Sequence, residues 1–307
     1  MIKMACRKAL HASTGRVQLD VQLTIERGAF VTLFGPSGAG KTTVLRMLAG
    51  LVHPDSGTIE VADNVWFDDQ KRLAVPPQQR TLGMVFQDYA LFPNLSVADN
   101  VAYGMTTASH RKKASNVEVD RLLAASGLVE LRDRFPASLS GGQKQRVALA
   151  RALGRALQTA QDGKSPLLLL DEPLSALDNA MRAQLQDVVL ALHREYGLTT
   201  VLVTHDIAEV FKLSQHVFVI EAGRIVRSGS PSSVFLQQQR QGSLQLQAQV
   251  LAVRQEEVVY ILSLLVGQDI VEVIADKEEA AHLHPGDVIS IATKAFSPMI
   301  FTANAVR

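Results

Sequence analysis

Residues 35–42 combine glycines, a lysine and a threonine at a spacing that can bind phosphate. They are Gly-Pro-Ser-Gly-Ala-Gly-Lys-Thr and fit the pattern G-x-x-x-x-G-K-[ST]. The apolar residues 30–34 predict a buried strand before this loop, and residues 42–48 have helical spacing after it. Backbone N–H groups at such a junction point at phosphate oxygens, and Lys41 would reach the terminal phosphates. The alternative is a turn that only begins a helix, and the preceding strand and the Lys-Thr pair disfavour it.

Two carboxylates follow a run of four leucines. The leucines are residues 167–170, and Asp171 and Glu172 come directly after them. Such a run predicts a strand buried on both faces of a parallel sheet, and these sheets bind ligands at the carboxyl ends of their strands. Asp171 would hold Mg²⁺, directly or through water, and Glu172 would polarise an attacking water. The alternative, a solvated acidic turn, is disfavoured by the upstream phosphate loop.

Residues 139–143, Leu-Ser-Gly-Gly-Gln, precede a predicted amphipathic helix at residues 144–153. Ser140 and Gln143 have the spacing of a capping box, in which each side chain binds the backbone N–H of the other residue. A capped surface helix would explain these two residues. It would not explain the adjacent Gly141 and Gly142, which cost helix stability and suit close approach of the backbone to a ligand.

Five segments, taken together, resemble the nucleotide-binding subunit of an ABC transporter. They are residues 35–42, Gln87, residues 139–143, residues 167–172 and His205. The resemblance implies an α/β fold, a P-loop NTPase of the ABC type, with a helical subdomain that carries residues 139–143, the signature. It implies ATP and Mg²⁺ as cofactors. It also implies a homodimer in which two head-to-tail copies enclose two nucleotides, with each signature at the γ-phosphate bound by the opposite subunit.

The resemblance assigns further roles residue by residue. Gln87 would link the nucleotide state to the membrane partner, His205 would orient the catalytic carboxylate, and residues 175–178 would let the two subunits sense one another. The predicted catalytic residues are Glu172, His205 and Gln87, and the predicted metal ligands are Thr42, Gln87 and Asp171. The predicted ATP-binding residues are Gly35, Pro36, Ser37, Gly38, Ala39, Gly40, Lys41, Thr42, Thr43, Ser140, Gly141, Gly142, Gln143 and Asp178.

Two features depart from the family. Its members usually stack an aromatic ring, upstream of the phosphate loop, on adenine. Residues 1–29 contain no Phe, Tyr or Trp, and His11 is their only ring. Adenine contacts would therefore be weaker or come from another side chain. The polar residues 158–165 predict an exposed inserted loop without catalytic consequence.

Composition excludes several other classes of protein. The chain has 307 residues, 47% of them apolar, and a net charge of +1, which indicates a substantial core and no general attraction to nucleic acid. The single cysteine, Cys6, excludes an internal disulfide and a cysteine-rich metal site. No apolar run approaches the ~20 residues that span a bilayer, and the N-terminus lacks the apolar core of a secretory signal. Membrane association would therefore come through partner proteins.

The predicted organisation is an ATP-binding domain at residues 1–236, with short strands in residues 1–80 and a helical subdomain at about residues 88–160. Residues 237–243 are a Gln-rich linker. Residues 244–307 have strand-like runs and resemble the small β-barrel (TOBE/Mop-like) appended to many importer ATPases. This tail has eight acidic and four basic residues, which disfavours nucleic-acid binding. Two roles stay open for it. It could be an oxyanion sensor that uses Lys294, Ser297 and the backbone around residues 284–286, or a barrel that only stabilises the dimer.

Residues 65–69, 75–80 and 85–97 resemble importer ATPases for oxyanions, polyamines and iron. The N-terminal layout and the short tail are most similar to the molybdate importer ATPase (ModC-like). We therefore predict an ATP hydrolase, a translocase subunit that powers molybdate import, with a sulfate, polyamine or iron importer as the alternative. A soluble non-transport ABC ATPase is less favoured, because such proteins usually have two fused units or a long coiled coil.

The implied partners are two integral-membrane permease subunits and, indirectly, a periplasmic substrate-binding protein; no nucleic acid is expected. The chain would be peripheral, at the cytoplasmic face of the inner membrane. Gln87 and residues 89–93 would line a groove for a short permease helix, because this apolar, aromatic stretch lies in an otherwise polar loop. Local packing within the helical subdomain is the alternative.

Overall fold

A computed structural model describes residues 1–12, 15–105, 116–159, 166–175, 177–235, 243–255, 260–275, 280 and 282–294. The chain forms two compact units, Met1–Phe235 and Leu236–Arg307. Among the residues described, no helix is long and apolar enough to cross a membrane.

The first unit is built on one eleven-stranded sheet. Its strands are β1 (Ile2–Ala12), β2 (Gly15–Ile25), β3 (Phe30–Phe34), β4 (Ser56–Val61), β5 (Asn64–Asp68), β6 (Leu73–Ala74), β7 (Leu82–Val85), β8 (Leu167–Asp171), β9 (Thr199–Thr204), β10 (His216–Glu221) and β11 (Arg224–Gly229). Its helices are α1 (Lys41–Ala49), α2 (Val97–Gly104), α3 (Asn116–Ala125), α4 (Gly141–Thr159), α5 (Asn179–Tyr196), α6 (Ile207–Leu213) and α7 (Pro231–Phe235).

The sheet has a parallel half and an antiparallel half. Its order is β6-β5-β4-β1-β2-β11-β10-β3-β9-β8-β7. Neighbours from β10 to β7 are parallel, whereas those from β6 to β2 are antiparallel. The carboxyl ends of β3, β7, β8 and β9 therefore meet at one edge, where the loops that follow them can build a site.

The leucines of β8 belong to two cores. Leu167 and Leu169 pack into a core with α1 and the antiparallel strands, whereas Leu168 and Leu170 pack into one with α4 and α5. Successive side chains of a strand point to opposite faces, so this alternation buries the strand completely. The predicted strands at residues 30–34 and 167–170 are thereby confirmed.

Two local predictions need correction. The strands in residues 1–80 are not all short, because β1 and β2 each have 11 residues and pair continuously from Ile2↔Ile25 to Ala12↔Gly15. Both strands bury alternate side chains in the same core, so their antiparallel ladder continues over their whole length. The loop predicted at residues 158–165 begins later than expected, because α4 continues to Thr159. Residues 160–165 lie outside the described part of the chain.

The second unit contains β12 (Ser243–Gln255), β13 (Tyr260–Val266), β14 (Asp269–Ala275) and β15 (Val288–Lys294). They form an antiparallel sheet of order β14-β13-β12-β15 around a core that includes Val250, Leu262 and Leu264. The linker predicted at residues 237–243 ends one residue too late, because Ser243 is already paired in β12. Residues 237–242 and Ser297 lie outside the described residues.

The turn before β15 does not offer the anion donors that the sequence predicts. The His284 N–H already donates to Asp287 Oδ2 at 2.7 Å, and the Gly286 N–H donates to Val250 O at 2.7 Å. Pro285, between them, has no N–H. The N–H groups of His284 and Gly286 are therefore already used, one within the turn and one by strand β12.

Candidate nucleotide-binding site

The phosphate loop joins β3 to α1, and two of its glycines are required by geometry. A Cβ on Gly35 would lie 2.1 Å from the carbonyl oxygen of Ile220 in β10, which no side chain tolerates. Gly40, the N-cap of α1, has φ of 100°, a left-handed conformation that glycine adopts readily. The backbone between them can therefore turn tightly at the end of β3 and lead into the helix.

Lys41 is held inside this loop. Its side chain is buried, and Nζ donates to the carbonyl oxygens of Gly35 at 2.7 Å and Pro36 at 2.9 Å. Burial lowers the pKa of Lys41, and the nearby carboxylates of Glu172 and Asp171 oppose that shift. The loop therefore positions a cation at its centre, close to two carboxylates.

Asp171 ends β8 and meets α1. Its Oδ1 accepts a hydrogen bond from Thr42 Oγ1 at 2.8 Å, and only 1% of the residue is exposed. Burial raises the pKa of this carboxyl. Oδ2 has no hydrogen-bond partner in the described part of the chain, and the nearest cation, Arg46 Nη2, is 4.0 Å away. A buried carboxylate with a free oxygen beside a threonine hydroxyl fits Mg²⁺, which prefers oxygen ligands and is often held by one or two carboxylates together with substrate phosphates.

Glu172 has a strained backbone. Its φ is 45°, and its N–H donates to Val203 O at 3.1 Å. A left-handed conformation in a residue other than glycine costs of order 1–3 kcal/mol and is found most often at functional sites. The carboxylate oxygen Oε2 lies 3.9 Å from His205 Nδ1, and His205 comes directly after β9. The two strand ends thus bring the predicted carboxylate and histidine together.

One cavity of about 340 Å³ connects the phosphate loop with Glu172. Its wall includes Ser37, Gly38, Gly40, Lys41, Thr42 and Thr43. Leu10 and Val17 also line it; they are direct cross-strand partners on β1 and β2. Sequence reasoning missed both, although the apolar alternation of residues 17–25 marked one face of β2. The side chain of His11 lies outside the described part of the structure.

The signature begins α4 with the predicted capping box. The Ser140 N–H donates to Gln143 Oε1 at 2.9 Å, and the Gln143 N–H donates to Ser140 Oγ at 3.3 Å. The two glycines differ. A Cβ on Gly142 would lie 3.0 Å from the sulfur of Met181, whereas a Cβ on Gly141 would meet nothing within 4 Å. Met181 therefore crowds Gly142 from within the chain, whereas Ser140 and Gly141 form an open, exposed surface.

The remaining predicted residues lie apart from the phosphate cavity. Gln87 is exposed, two residues beyond the end of β7. Asp178 is exposed and caps α5, since its Oδ1 accepts the Met181 N–H at 2.9 Å. Neither these residues nor the signature line the cavity that contains Lys41. In the described residues, no group of three or more His, Cys, Asp or Glu side chains could hold a metal.

A second, larger cavity of about 640 Å³ opens beside the helical subdomain. We call it the apolar groove; its lining includes Leu51, Phe86, Ala90, Phe92, Tyr103 and Arg151. The rings of Phe92 and Tyr103 are 4.4 Å apart, and Arg151 donates to Ala90 O at 2.6 Å. Of the residues predicted to line a groove, Ala90 and Phe92 line this one, whereas Gln87, Tyr89, Leu91 and Pro93 do not. Tyr89 instead packs on the core of the helical subdomain, as the alternative expected.

A family model described as "ABC transporter" matches residues 19–175, just over half of the chain. The chain belongs to the ABC transporter family. It is 48% identical over 218 residues to a sulfate/thiosulfate import ATP-binding protein of Chromobacterium violaceum, covering 70% of this chain and 55% of the relative. It is 46% identical over 222 residues to a spermidine/putrescine import ATP-binding protein of Marinobacter nauticus, covering 72% and 56%. It is 44% identical over 216 residues to an Fe(3+) ions import ATP-binding protein of Agrobacterium fabrum, covering 70% and 57%.

The chain spans a little over half the length of these curated relatives. Solved structures extend the likeness to the fold. A dimeric structure of the ATP-binding cassette MJ0796 in a post-hydrolysis state bound to ADP and Pi has a TM-score of 0.62 and 28% identity, covering 75% of this chain and 99% of that one. The structure of cbiO1 from Clostridium perfringens has a TM-score of 0.63 and 29% identity, covering 77% and 90%. The P-loop fold of the ABC type is thus confirmed.

Proposed function

We propose that this chain binds and hydrolyses ATP as the nucleotide-binding subunit of an ABC importer. One observation carries the proposal: a single cavity has Lys41, Thr42 and Glu172 on its wall, and Thr42 is hydrogen-bonded to the buried Asp171. This is an arrangement of cation, hydroxyl and carboxylates that phosphoryl transfer from a nucleotide requires.

The roles follow from the positions of the groups. Loop N–H groups and Lys41 would bind the β- and γ-phosphates, with Lys41 exchanging its two carbonyl acceptors for phosphate oxygens. Thr42 and Asp171 would hold Mg²⁺, which neutralises charge on the phosphates when bound. Glu172, on its strained backbone, would accept a hydrogen bond from the attacking water and so orient it, and His205 would keep that carboxylate in place.

The nucleobase would lie against aliphatic side chains. Leu10 and Val17 extend the cavity wall beyond the phosphate loop. They supply apolar contact without the stacking that an aromatic ring gives. This arrangement would replace the aromatic ring that residues 1–29 lack.

A second copy of the chain would complete the site. Ser140 and Gly141 are exposed at the start of a 19-residue helix whose N-terminal N–H groups and dipole favour an anion. The cavity that contains Lys41 and the phosphate loop does not include them on its wall. A head-to-tail homodimer would place them against the other subunit's nucleotide, and the relative MJ0796 is a dimer in its solved structures.

The apolar groove is our candidate for the permease contact. It exposes Phe92, Tyr103 and Leu51, large apolar side chains that a soluble surface seldom groups together. In the proposed dimer, the groove of each copy would receive a short helix from one of two permease subunits. This contact would place the chain at the cytoplasmic face of the membrane. A periplasmic binding protein would then be an indirect partner.

The relatives support sulfate, polyamine or iron import better than the molybdate import predicted from the sequence, because they are import ATP-binding proteins for sulfate/thiosulfate, spermidine/putrescine and Fe(3+) ions. We propose an importer of one of these three classes, with sulfate first. The second unit would be the small barrel appended to such ATPases, in a role that stabilises the dimer; its turn donors are already used, which disfavours the sensor role.

Uptake measurements test the proposal. Labelled sulfate, spermidine, ferric iron and molybdate would be supplied to cells that carry the chain, cells that lack it, and cells with Lys41→Ala. We expect one of the first three substrates to be taken up only with the intact chain. Equal uptake in all three cell lines for every substrate would contradict a transport role, and dependence of molybdate uptake alone would restore the prediction made from the sequence.

A further inference from the structure

The first turn of α5 contacts three parts of the candidate site. Asp178 caps it and accepts the Met181 N–H. Met181 packs against Gly142 of the signature. Arg182, the next residue, donates from Nη2 to Leu177 O at 3.2 Å and from Nη1 to Asp206 Oδ2 at 3.3 Å.

Asp206 fixes the backbone that carries His205. Its Oδ1 accepts the N–H groups of Ala208 at 2.7 Å and Glu209 at 3.3 Å, which caps α6. Its own N–H donates to Thr204 Oγ1 at 3.1 Å. A shift of Asp206 would therefore rotate the peptide units on both sides of it, and His205 is its immediate neighbour.

Arg182 is positioned to control Asp206. About a quarter of each side chain in this ion pair is exposed, so solvent screens the pair only in part. Arg182 Nε is buried and has no hydrogen-bond partner within the described residues. Two nitrogens of the guanidinium therefore donate hydrogen bonds, and the third does not. Arg182 also lines a cavity of about 270 Å³ together with Glu172 and His205.

Two anchor points on one side chain connect two loops. Leu177 precedes Asp178, in the segment expected to face the second copy, whereas Asp206 adjoins the histidine of the chain's own site. A displacement of residues 177–178 by a partner would pull on Arg182 and hence on Asp206. The same turn would transmit it to the signature through Met181.

We propose that Arg182 is a positioning residue that couples the segment at residues 177–178 to His205, so that engagement of the second copy sets the histidine in each site. The proposal rests on the proposed function, ATP hydrolysis in a head-to-tail dimer. It adds a residue that the sequence patterns did not single out.

The test uses the full chain with Arg182→Gln, Arg182→Lys and, as a matched control on the same helix, Arg194→Gln, which changes an exposed arginine far along α5. Equilibrium ATP binding, kcat, KM and the Hill coefficient for ATP are measured for each, together with the melting midpoint. We expect Arg182→Gln to lower kcat about tenfold, a factor typical of couplings between sites. The Hill coefficient should fall toward 1, and the affinity for ATP should change less than about twofold. Arg182→Lys should restore most of kcat, and Arg194→Gln should match the wild type.

A second variant keeps the test decisive if Arg182→Gln loses stability. Asp206→Asn retains the helix cap but weakens the ion pair, and the double variant should be no slower than Arg182→Gln alone if both residues act through one contact. Unchanged kcat and cooperativity in Arg182→Gln, or additive losses in the double variant, would overturn the proposal. A wild-type chain that binds no ATP and hydrolyses none would instead contradict the proposed function.

Discussion

The phosphate loop and the signature are both sequence motifs at the start of a helix, yet they differ in how far their side chains are held by the rest of the chain. Around the loop, Lys41, Thr42 and Asp171 are held by hydrogen bonds inside the chain before any ligand binds. At the signature, Ser140 and Gly141 face outward, and the capping box satisfies only the helix end. One half of the candidate site is therefore preorganised within a chain, whereas the other is an exposed surface that a second copy would complete in the proposed dimer.

The largest expected effect is on the preorganised half. Lys41→Ala removes the only lysine that lines the phosphate cavity among the described residues. Because charge-assisted bonds to phosphate are strong, we expect ATP affinity to fall about a hundredfold. Equilibrium binding of a fluorescent ATP analogue measures this. Lys71→Ala, which removes an exposed lysine elsewhere, is the control; similar affinities in the two variants would mean that Lys41 does not bind the nucleotide.

A substitution in the signature should leave ATP binding intact and reduce turnover. Gly141→Glu places a side chain in open space, so the isolated chain should fold and bind ATP normally. In a head-to-tail dimer the same carboxylate would confront the other subunit's γ-phosphate, and we expect turnover to fall at least tenfold, by charge repulsion and loss of association. ATP binding and steady-state hydrolysis are measured on the same preparation. Normal turnover would remove the signature from the site.

Gly142→Ala sharpens this comparison between the two glycines. Its Cβ would press on the flexible end of Met181, which can move. We therefore expect a small loss of stability and a turnover closer to wild type than that of Gly141→Glu.

The fold and the preorganised half could be predicted largely from sequence, because both are local. Strand β3, the loop and α1 are contiguous in sequence, and the four leucines before Asp171 predict a buried strand. The side chains of Leu10, Val17 and Arg182 could not be predicted, because their roles depend on which strands and loops become neighbours in space. The length of α4 was also missed, since polar residues such as Gln158 and Thr159 continue a helix without an apolar signal.

The apolar groove should matter only when the membrane partner is present. Phe92→Ala removes one ring of the aromatic pair and leaves the phosphate cavity untouched. We expect copurification with the permease to fall severalfold while the ATPase rate of the isolated chain stays unchanged. Phe135→Ala, at another exposed phenylalanine that does not line the groove, is the matched control. Equal loss of the permease in both variants would argue against the groove.

The smallest expected effect is on stability without nucleotide. Burial raises the pKa of Asp171, so its ionised form costs stability at neutral pH, and this cost is relieved as the pH falls through the raised pKa. Asp171→Asn is always neutral and can still accept the Thr42 hydrogen bond. Its melting midpoint should exceed that of the wild type at pH 7, and the difference should shrink on acidification. A lower midpoint at pH 7 would mean that Lys41 and Arg46 stabilise the carboxylate more than burial destabilises it.

In the proposed dimer, ATP hydrolysis needs Glu172 of one chain and the signature of another. Sedimentation of Glu172→Gln in the presence of ATP, with hydrolysis measured in parallel, tests it most directly. Because the amide keeps the shape of the side chain but cannot polarise water, we predict turnover at least a hundredfold slower than wild type. We also predict a stable dimer that holds two nucleotides. A variant that hydrolyses ATP near the wild-type rate, or one that stays monomeric with ATP bound, would contradict the claim.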